Sequence, residues 1–377
     1  MSIVKSKKIW LSSPHMGGAE LDFIKEAFAT NWIAPLGPNV NGFETDIASY
    51  LGENSSVAAL SSGTASLHLA LQILGVSRGD FVLCQSMTFA ASANPITYLG
   101  ALPVFIDSER DTWNMCPEQL ELAIKDCISK GKIPKAIVAV HLYGMPYMVN
   151  EITSIANKYD IPIVEDSAES FGSSYFGRCC GTFGDIGVLS FNGNKIITTS
   201  GGGALVAKDP IHKEKAIFLA TQARDNAPHY QHSHIGYNYR MSNVLAGIGR
   251  GQMKVLDHHV SKRRSNYAFY KKHLNPISEI SFLDEPNRCF SNRWLSCILT
   301  DSFQTREKIR EELAKNEIES RPLWKPMHLQ PVFSKNISYT NGISEELFNK
   351  GLCLPSGSDL EEDDLYRVVR IIKNLLQ

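Results

Sequence analysis

The chain offers little that would tie it to a metal, a membrane or a nucleic acid. Its eight cysteines are scattered, with one adjacent pair (Cys179-Cys180), no CxxC and no Cys/His cluster at metal-ligand spacing. No metal is expected, and the simplest account is a reduced, cytoplasmic protein. No uninterrupted apolar run approaches the ~20 residues of a membrane span. The start, MSIVKSKKIWLSSPHMGG, carries basic residues without an apolar core, so a secretory signal is not expected either. With 38 basic and 39 acidic residues the formal net charge is −1, which leaves no electrostatic footprint for nucleic acid or an anionic surface. Any anion this protein binds has to be met by local donors. Internal repeats and low-complexity stretches are absent too.

What is present is an ordinary globular composition, 43% hydrophobic and 20% charged over 377 residues, long enough for two domains. Apolar residues at helical spacing predict helices over Ala19–Asn31 (Leu21, Ile24, Phe28) and Val40–Leu51, separated by a loop in which Trp32 sits among turn formers. Trp32 reads either as a plug between these helices or as a substrate contact. Ser61 to Ser66 opens a helix stopped at Gly75. Strand Phe81–Cys84, helix Ala91–Leu99, strand Leu102–Asp107, helix Pro117–Lys130, strand Ala136–Leu142, helix Val149–Tyr159 and strand Ile161–Asp166 then alternate. That rhythm predicts a mostly parallel sheet covered by helices on both faces. A plain dinucleotide-binding fold would show the same rhythm, but no GxGxxG follows the first strands. Asp209 to His234, polar and bearing His212, His229, His232 and His234, reads as a long loop. One helix is expected over Ser242–Leu274, bridging to a smaller α+β unit with strand Trp294–Leu299, helix Thr305–Glu317 and a last helix Leu360–Leu376, for which Ser358 and Glu361 fit a capping box.

The stretch Ser190 to Gly203, SFNGNKIITTSGGG, places Lys195 on a hydroxyl- and glycine-rich turn between two apolar strands. An amine so held forms an imine with an aldehyde if its neighbours keep part of it unprotonated; the plainer reading is a solvated surface lysine. Asp166, 29 residues earlier, ends a buried-looking strand at the edge where open α/β sheets place their ligands. Pyridoxal phosphate enzymes use such a pair, an aspartate on the pyridine nitrogen and a lysine on the aldehyde.

Together, SSGTASLHLAL, MTFAASANPITYLGALPVFID, HLYGMP, VEDSAESFGS, SFNGNK and GYNYRMS resemble, in order and spacing, the DegT/DnrJ/StrS-type sugar aminotransferases over nearly the whole chain. The resemblance implies the α/β fold type I of pyridoxal phosphate-dependent transferases, with a large cofactor-binding domain over residues 1–250 and a small carboxyl-terminal domain over 251–377. It implies Lys195 and Asp166 as catalytic residues, Gly63, Thr64 and Ser190 around the cofactor phosphate, Phe89 stacked on the pyridine ring, and Asn238 reaching the cofactor of a neighbouring subunit in a homodimer. Glu169 stands where many members carry glutamine near the cofactor's phenolic oxygen. Its plainer reading is a surface acid, and its protonation state is open because a carboxylate facing a phenolate would repel it.

The segment Ser320 to Pro331, too rich in proline for helix or central strand, resembles the branch acting on UDP-linked 4-keto-6-deoxy-N-acetyl sugars, the bacillosamine-pathway transaminases. There Arg321, Lys325 and His328, with Trp32 at the site entrance, are implied as substrate contacts; a solvated rim is the plainer reading. The implied reaction moves an amino group from glutamate to the sugar's carbon 4 ketone, leaving 2-oxoglutarate. Rivals are a 3-keto or dTDP-linked sugar, a dehydratase (disfavoured by lysine rather than histidine at 195), and, from other classes, a non-catalytic pyridoxal phosphate-binding regulator or a plain nucleotide binder.

Overall fold

The structure, a computed structural model, describes residues 7–52 and 55–376; the first six residues of the basic start lie outside them. Apolar runs flanked by turn formers become eight strands of one sheet, in the order Ser56–Leu60, Gly203–Ala207, Ile186–Ser190, Ile163–Asp166, Ala136–Val140, Phe81–Gln85, Leu102–Ile106, Ser338–Tyr339. Only Gly203–Ala207 runs antiparallel to its neighbours; the remaining pairs are parallel. Ala136–Val140 and Ile163–Asp166 are buried at every position, as strands covered on both faces must be. One face packs on the helix Gly63–Ile73, the other on Pro117–Ser129 and Val149–Lys158. The expected α/β class holds.

The carboxyl-terminal unit is a four-stranded antiparallel sheet, Ile280–Phe282, Ser296–Thr300, Gly351–Leu354, Arg321–Pro322. Its core is shared with the helices Leu256–Leu274, Phe303–Lys315 and Glu362–Leu376. From it the chain crosses back, and Ser338–Tyr339 becomes the outermost strand of the large sheet.

Four local expectations fail. Residues 209–234 are not one loop: Pro210–Ala220 is a helix whose N-cap, Asp209, accepts from the Ile211 N–H. The Asp-Pro start was a readable helix signal outweighed by the histidines. The long helix over 242–274 is two, Asn243–Met253 and Leu256–Leu274. Ala91–Leu99 is a 3-10 turn followed by the short helix Asn94–Tyr98. The capping box does not form, because the Ser358 hydroxyl bonds to His15 while Asp364 accepts from the Glu361 N–H.

The amino-terminal segment straps these parts together. Ile9 bridges to Ile318, the Leu11 N–H donates to Glu319, the Leu11 carbonyl accepts from Ser356, and the Ser12 hydroxyl reaches the Asn194 carbonyl beside Lys195.

Candidate active site

At the carboxyl ends of the strands 163–166 and 186–190 lies a cavity of about 300 Å³. Gly63, Thr64, Phe89, Asp166, Glu169, Ser190 and Lys195 all line it. Seven residues singled out from the sequence therefore converge.

Lys195 follows a tight turn in which its N–H donates to the Asn192 carbonyl. Residues far away in sequence hold that turn. Ser12 and the Trp294 indole N–H both donate to the Asn194 carbonyl, each at 2.8 Å; His259 bonds the Ile196 carbonyl and Gln252 accepts from the Thr198 N–H. The lysine Nζ lies 4.2 Å from the centre of the Trp294 ring and 3.8 Å from Glu169 Oε1.

Asp166 is buried, accepts from the Ser92 hydroxyl at 2.6 Å and from the Ala168 N–H at 3.1 Å, and forms no ion pair among the described residues. Glu169 is also buried. It accepts from the Tyr143 N–H at 2.7 Å and lies 3.4 Å from the Trp324 indole nitrogen. Burial raises its carboxyl above the ordinary value, with Lys195 and the Tyr143 N–H pulling the other way. Tyr143 takes φ 54°, a conformation uncommon for a non-glycine residue, and its side-chain oxygen accepts from the Trp324 N–H.

Ser62 is the N-cap of the helix Gly63–Ile73, accepting from the Ala65 N–H. The first two N–H groups of the helix, on Gly63 and Thr64, and the hydroxyls of Thr64 and Ser190 have no protein partner among the described residues. A Cβ at Gly63 would stand 2.9 Å from the Ser190 Cβ. Glycine there lets the helix end close onto the strand, and the same closeness gathers donors at the positive end of the helix dipole.

The remaining expected residues stand apart from this cavity. Trp32 is exposed, its carbonyl accepting from Asn243, so it does not plug the two helices. Asn238 is exposed and accepts from Gln222. Arg321 is exposed and paired with Glu319. The His328 ring is held between Ser86 and Glu345. Lys325 forms no ion pair among the described residues.

Sequence reasoning missed Trp294, Trp324, Ser92 and Asn192, which line the cavity. Ser92 lies in MTFAASANP and Trp324 in the proline-rich segment, both already marked; Trp294 carried no local signal. It also missed the reason for Glu165. That buried carboxylate accepts from His141 Nε2, Ser167 and the N–H groups of Gly181, Phe183 and Gly184. Burial pushes it up, but His141 and these N–H groups prevail and hold it below the usual range. With Cys180 the trio has the outline of a metal site. The Tyr147 N–H occupies His141 Nδ1, however, so Nε2 carries the proton given to Glu165, and neither ring nitrogen is left to ligate.

A family model described as the DegT/DnrJ/EryC1/StrS aminotransferase family matches residues 14–373. The chain belongs to that family. It is 52% identical, over 98% of its length and 96% of the relative's, to a Bacillus subtilis protein described as "Putative pyridoxal phosphate-dependent aminotransferase EpsN". It is 36% identical to the GDP-perosamine synthase of Escherichia coli O157:H7, covering 97% of this chain and 98% of that one. Among solved structures, a DegT/DnrJ/EryC1/StrS aminotransferase from Brucella abortus superimposes with a TM-score of 0.89 at 29% identity, covering 95% of both chains. This family member is thus a pyridoxal phosphate-dependent sugar aminotransferase. Among its described residues no helix is long and apolar enough to cross a membrane.

Proposed function

We propose that the enzyme transfers the amino group of glutamate to the carbon 4 ketone of a UDP-linked 4-keto-6-deoxy-N-acetylhexosamine, for a cell-surface glycan or glycoprotein. The observation that carries the catalytic part is the convergence of Lys195, Asp166 and Glu169 on one cavity whose Gly63–Thr64 rim is rich in unpartnered donors.

The residues fit the cofactor. Asp166, buried with two hydrogen bonds and no cation, suits a protonated ring nitrogen. The N–H groups of Gly63 and Thr64 with the Thr64 and Ser190 hydroxyls suit a phosphate, and the aromatic Phe89 lines the same cavity. Bound there, pyridoxal phosphate supplies an electron sink for the carbon–hydrogen bond next to nitrogen. Lys195 tethers the cofactor. Once displaced, it would take the donor's α-proton and give it to the carbon that had carried the cofactor's aldehyde, acting first as base and then as acid. In the net reaction glutamate exchanges its amino group for the sugar's ketone oxygen, yielding 2-oxoglutarate and the 4-amino sugar. Positioning and fixed charge are the protein's share.

Asn238 we assign to the phosphate of a neighbouring subunit's cofactor in a homodimer. Its exposure, beside the exposed Tyr230 and Ile235, supports this. Trp32, Arg321, Lys325 and His328 are assigned to the sugar-nucleotide side, Arg321 and His328 after leaving their acidic partners. We take the domain boundary near residue 250; the break between the helices 243–253 and 256–274 supports it.

A second reading, a GDP-linked 4-keto sugar, draws on the name of the E. coli relative. The deciding assay is 2-oxoglutarate release from glutamate with UDP-, GDP- and dTDP-linked 4-keto sugars and a 3-keto control. A preference of tenfold or more in kcat/KM for the UDP-N-acetyl sugar is expected. The same preference for GDP- or dTDP-sugar would overturn the nucleotide assignment, and no release with any would overturn the reaction.

A further inference from the structure

Trp294 faces Lys195 in two ways. Its indole N–H donates to the carbonyl of Asn194, immediately before the lysine, and its ring lies 4.2 Å from the lysine Nζ. Trp294 is itself 2% exposed, so the contact is largely desolvated. Behind it lies Arg263, fully buried on the helix Leu256–Leu274. Among the described residues Arg263 has no carboxylate in ion-pair range, and its Nε has no hydrogen-bond partner. One guanidinium nitrogen donates to the Trp294 carbonyl at 2.7 Å and another to the Ser12 hydroxyl at 3.0 Å. Ser12 in turn donates to the same Asn194 carbonyl as the indole. An unpaired buried cation is costly. Here it joins the amino-terminal strap, the bridging helix and the small domain to the backbone next to the lysine.

We propose that the Trp294 ring is the seat of the Lys195 amine in its protonated, cofactor-free form, and that Arg263, acting through Trp294 and Ser12, is the positioning residue that keeps the seat in register with the lysine turn. The inference rests on Lys195 being the cofactor tether. An amine that is released and recaptured in each half-reaction needs a defined place to wait. The π face of a desolvated tryptophan favours the ammonium, with Glu169 Oε1 at 3.8 Å on the same nitrogen.

The test uses cofactor-free full-length protein and cyanate, a three-atom reagent that carbamoylates only unprotonated amines, with the rate at Lys195 read by peptide mass. Trp294→Leu is expected to speed carbamoylation about three- to thirtyfold, the range of a cation–π contact. Trp294→Phe keeps a ring and is expected to stay within about twofold of the parent. Arg263→Met should follow Trp294→Leu, and Arg263→Lys should restore most of the protection. An unchanged rate in Trp294→Leu, or Trp294→Phe reacting as fast as Trp294→Leu, overturns the seat. If Trp294→Leu does not fold, the Arg263 pair decides: Arg263→Met at least threefold faster than Arg263→Lys supports the proposal, and equal rates overturn it. Covalent capture of pyridoxal phosphate by the parent, fixed with borohydride and weighed, is measured separately. Its absence removes the tether reading while the cyanate comparison still reports on the seat.

Discussion

Glu165 and Asp166 are neighbours on one buried strand, point to opposite faces of the sheet, and differ in how they are met. Glu165 accepts from five donors, including three backbone N–H groups of the turn 181–184 and the His141 ring. Asp166 accepts from two and lines a cavity. Burying a carboxylate costs several kcal/mol unless hydrogen bonds and charge offset it. Glu165 has its compensation within the protein and therefore knits a turn to a strand. Asp166 is left short of partners, a shortfall that suits the proposed role of meeting a cationic ring nitrogen. Adjacent acids of similar burial are told apart by counting donors, which an acid-rich motif such as VEDSAES does not reveal.

Three substitutions probe this contrast from the cavity outward. Lys195→Ala should remove turnover by at least about a thousandfold, since tether and proton carrier vanish together. The cavity should still bind the cofactor noncovalently, measured by dialysis and absorbance, and activity within tenfold of the parent would end the assignment. Asp166→Ala should slow both half-reactions by about a hundred- to a thousandfold, the scale of losing one preorganised charge, while the cofactor-free protein melts near the parent temperature. Glu165→Ala should invert that pattern. Five donors lose their acceptor, costing about 3–5 kcal/mol in urea unfolding, and the folded fraction should keep kcat within about threefold. If Asp166→Ala proved the more destabilising and Glu165→Ala the more damaging to kcat, the distinction between the two acids would be wrong.

The parts of the site legible in the sequence are those whose chemistry is local. Lys195 among glycines, Asp166 at a strand end and Gly63-Thr64 at a helix start each combine a reactive or donor group with the backbone geometry that presents it. Trp294 and Ser12 were not legible because they act only through contacts spanning about a hundred residues or more of chain. The alternation of strands and helices gave the large sheet. It did not foretell that Ser338–Tyr339 returns to that sheet's edge, because a two-residue strand has no period to read.

The smallest expected effect concerns Glu169, which lies between the two cases, since it has the Tyr143 N–H, a long contact to Trp324 and a nearby ammonium, but no full set of donors. Burial outweighs these and raises its carboxyl, so over the window between its unfolded and folded values the native state keeps a proton that the unfolded chain has released. The unfolded state then binds fewer protons, and stability declines as pH rises through that window. Glu169→Gln cannot ionise and retains an oxygen for the Tyr143 N–H. In the cofactor-free protein, parent and variant should melt together below the ordinary carboxylate range, and the variant should melt higher at pH 8. Parallel melting curves from pH 4.5 to 8 would mean that Glu169 is an anion in the folded state, as fully compensated as Glu165. The number of partners within hydrogen-bond range would then not be what separates structural from reactive acids here.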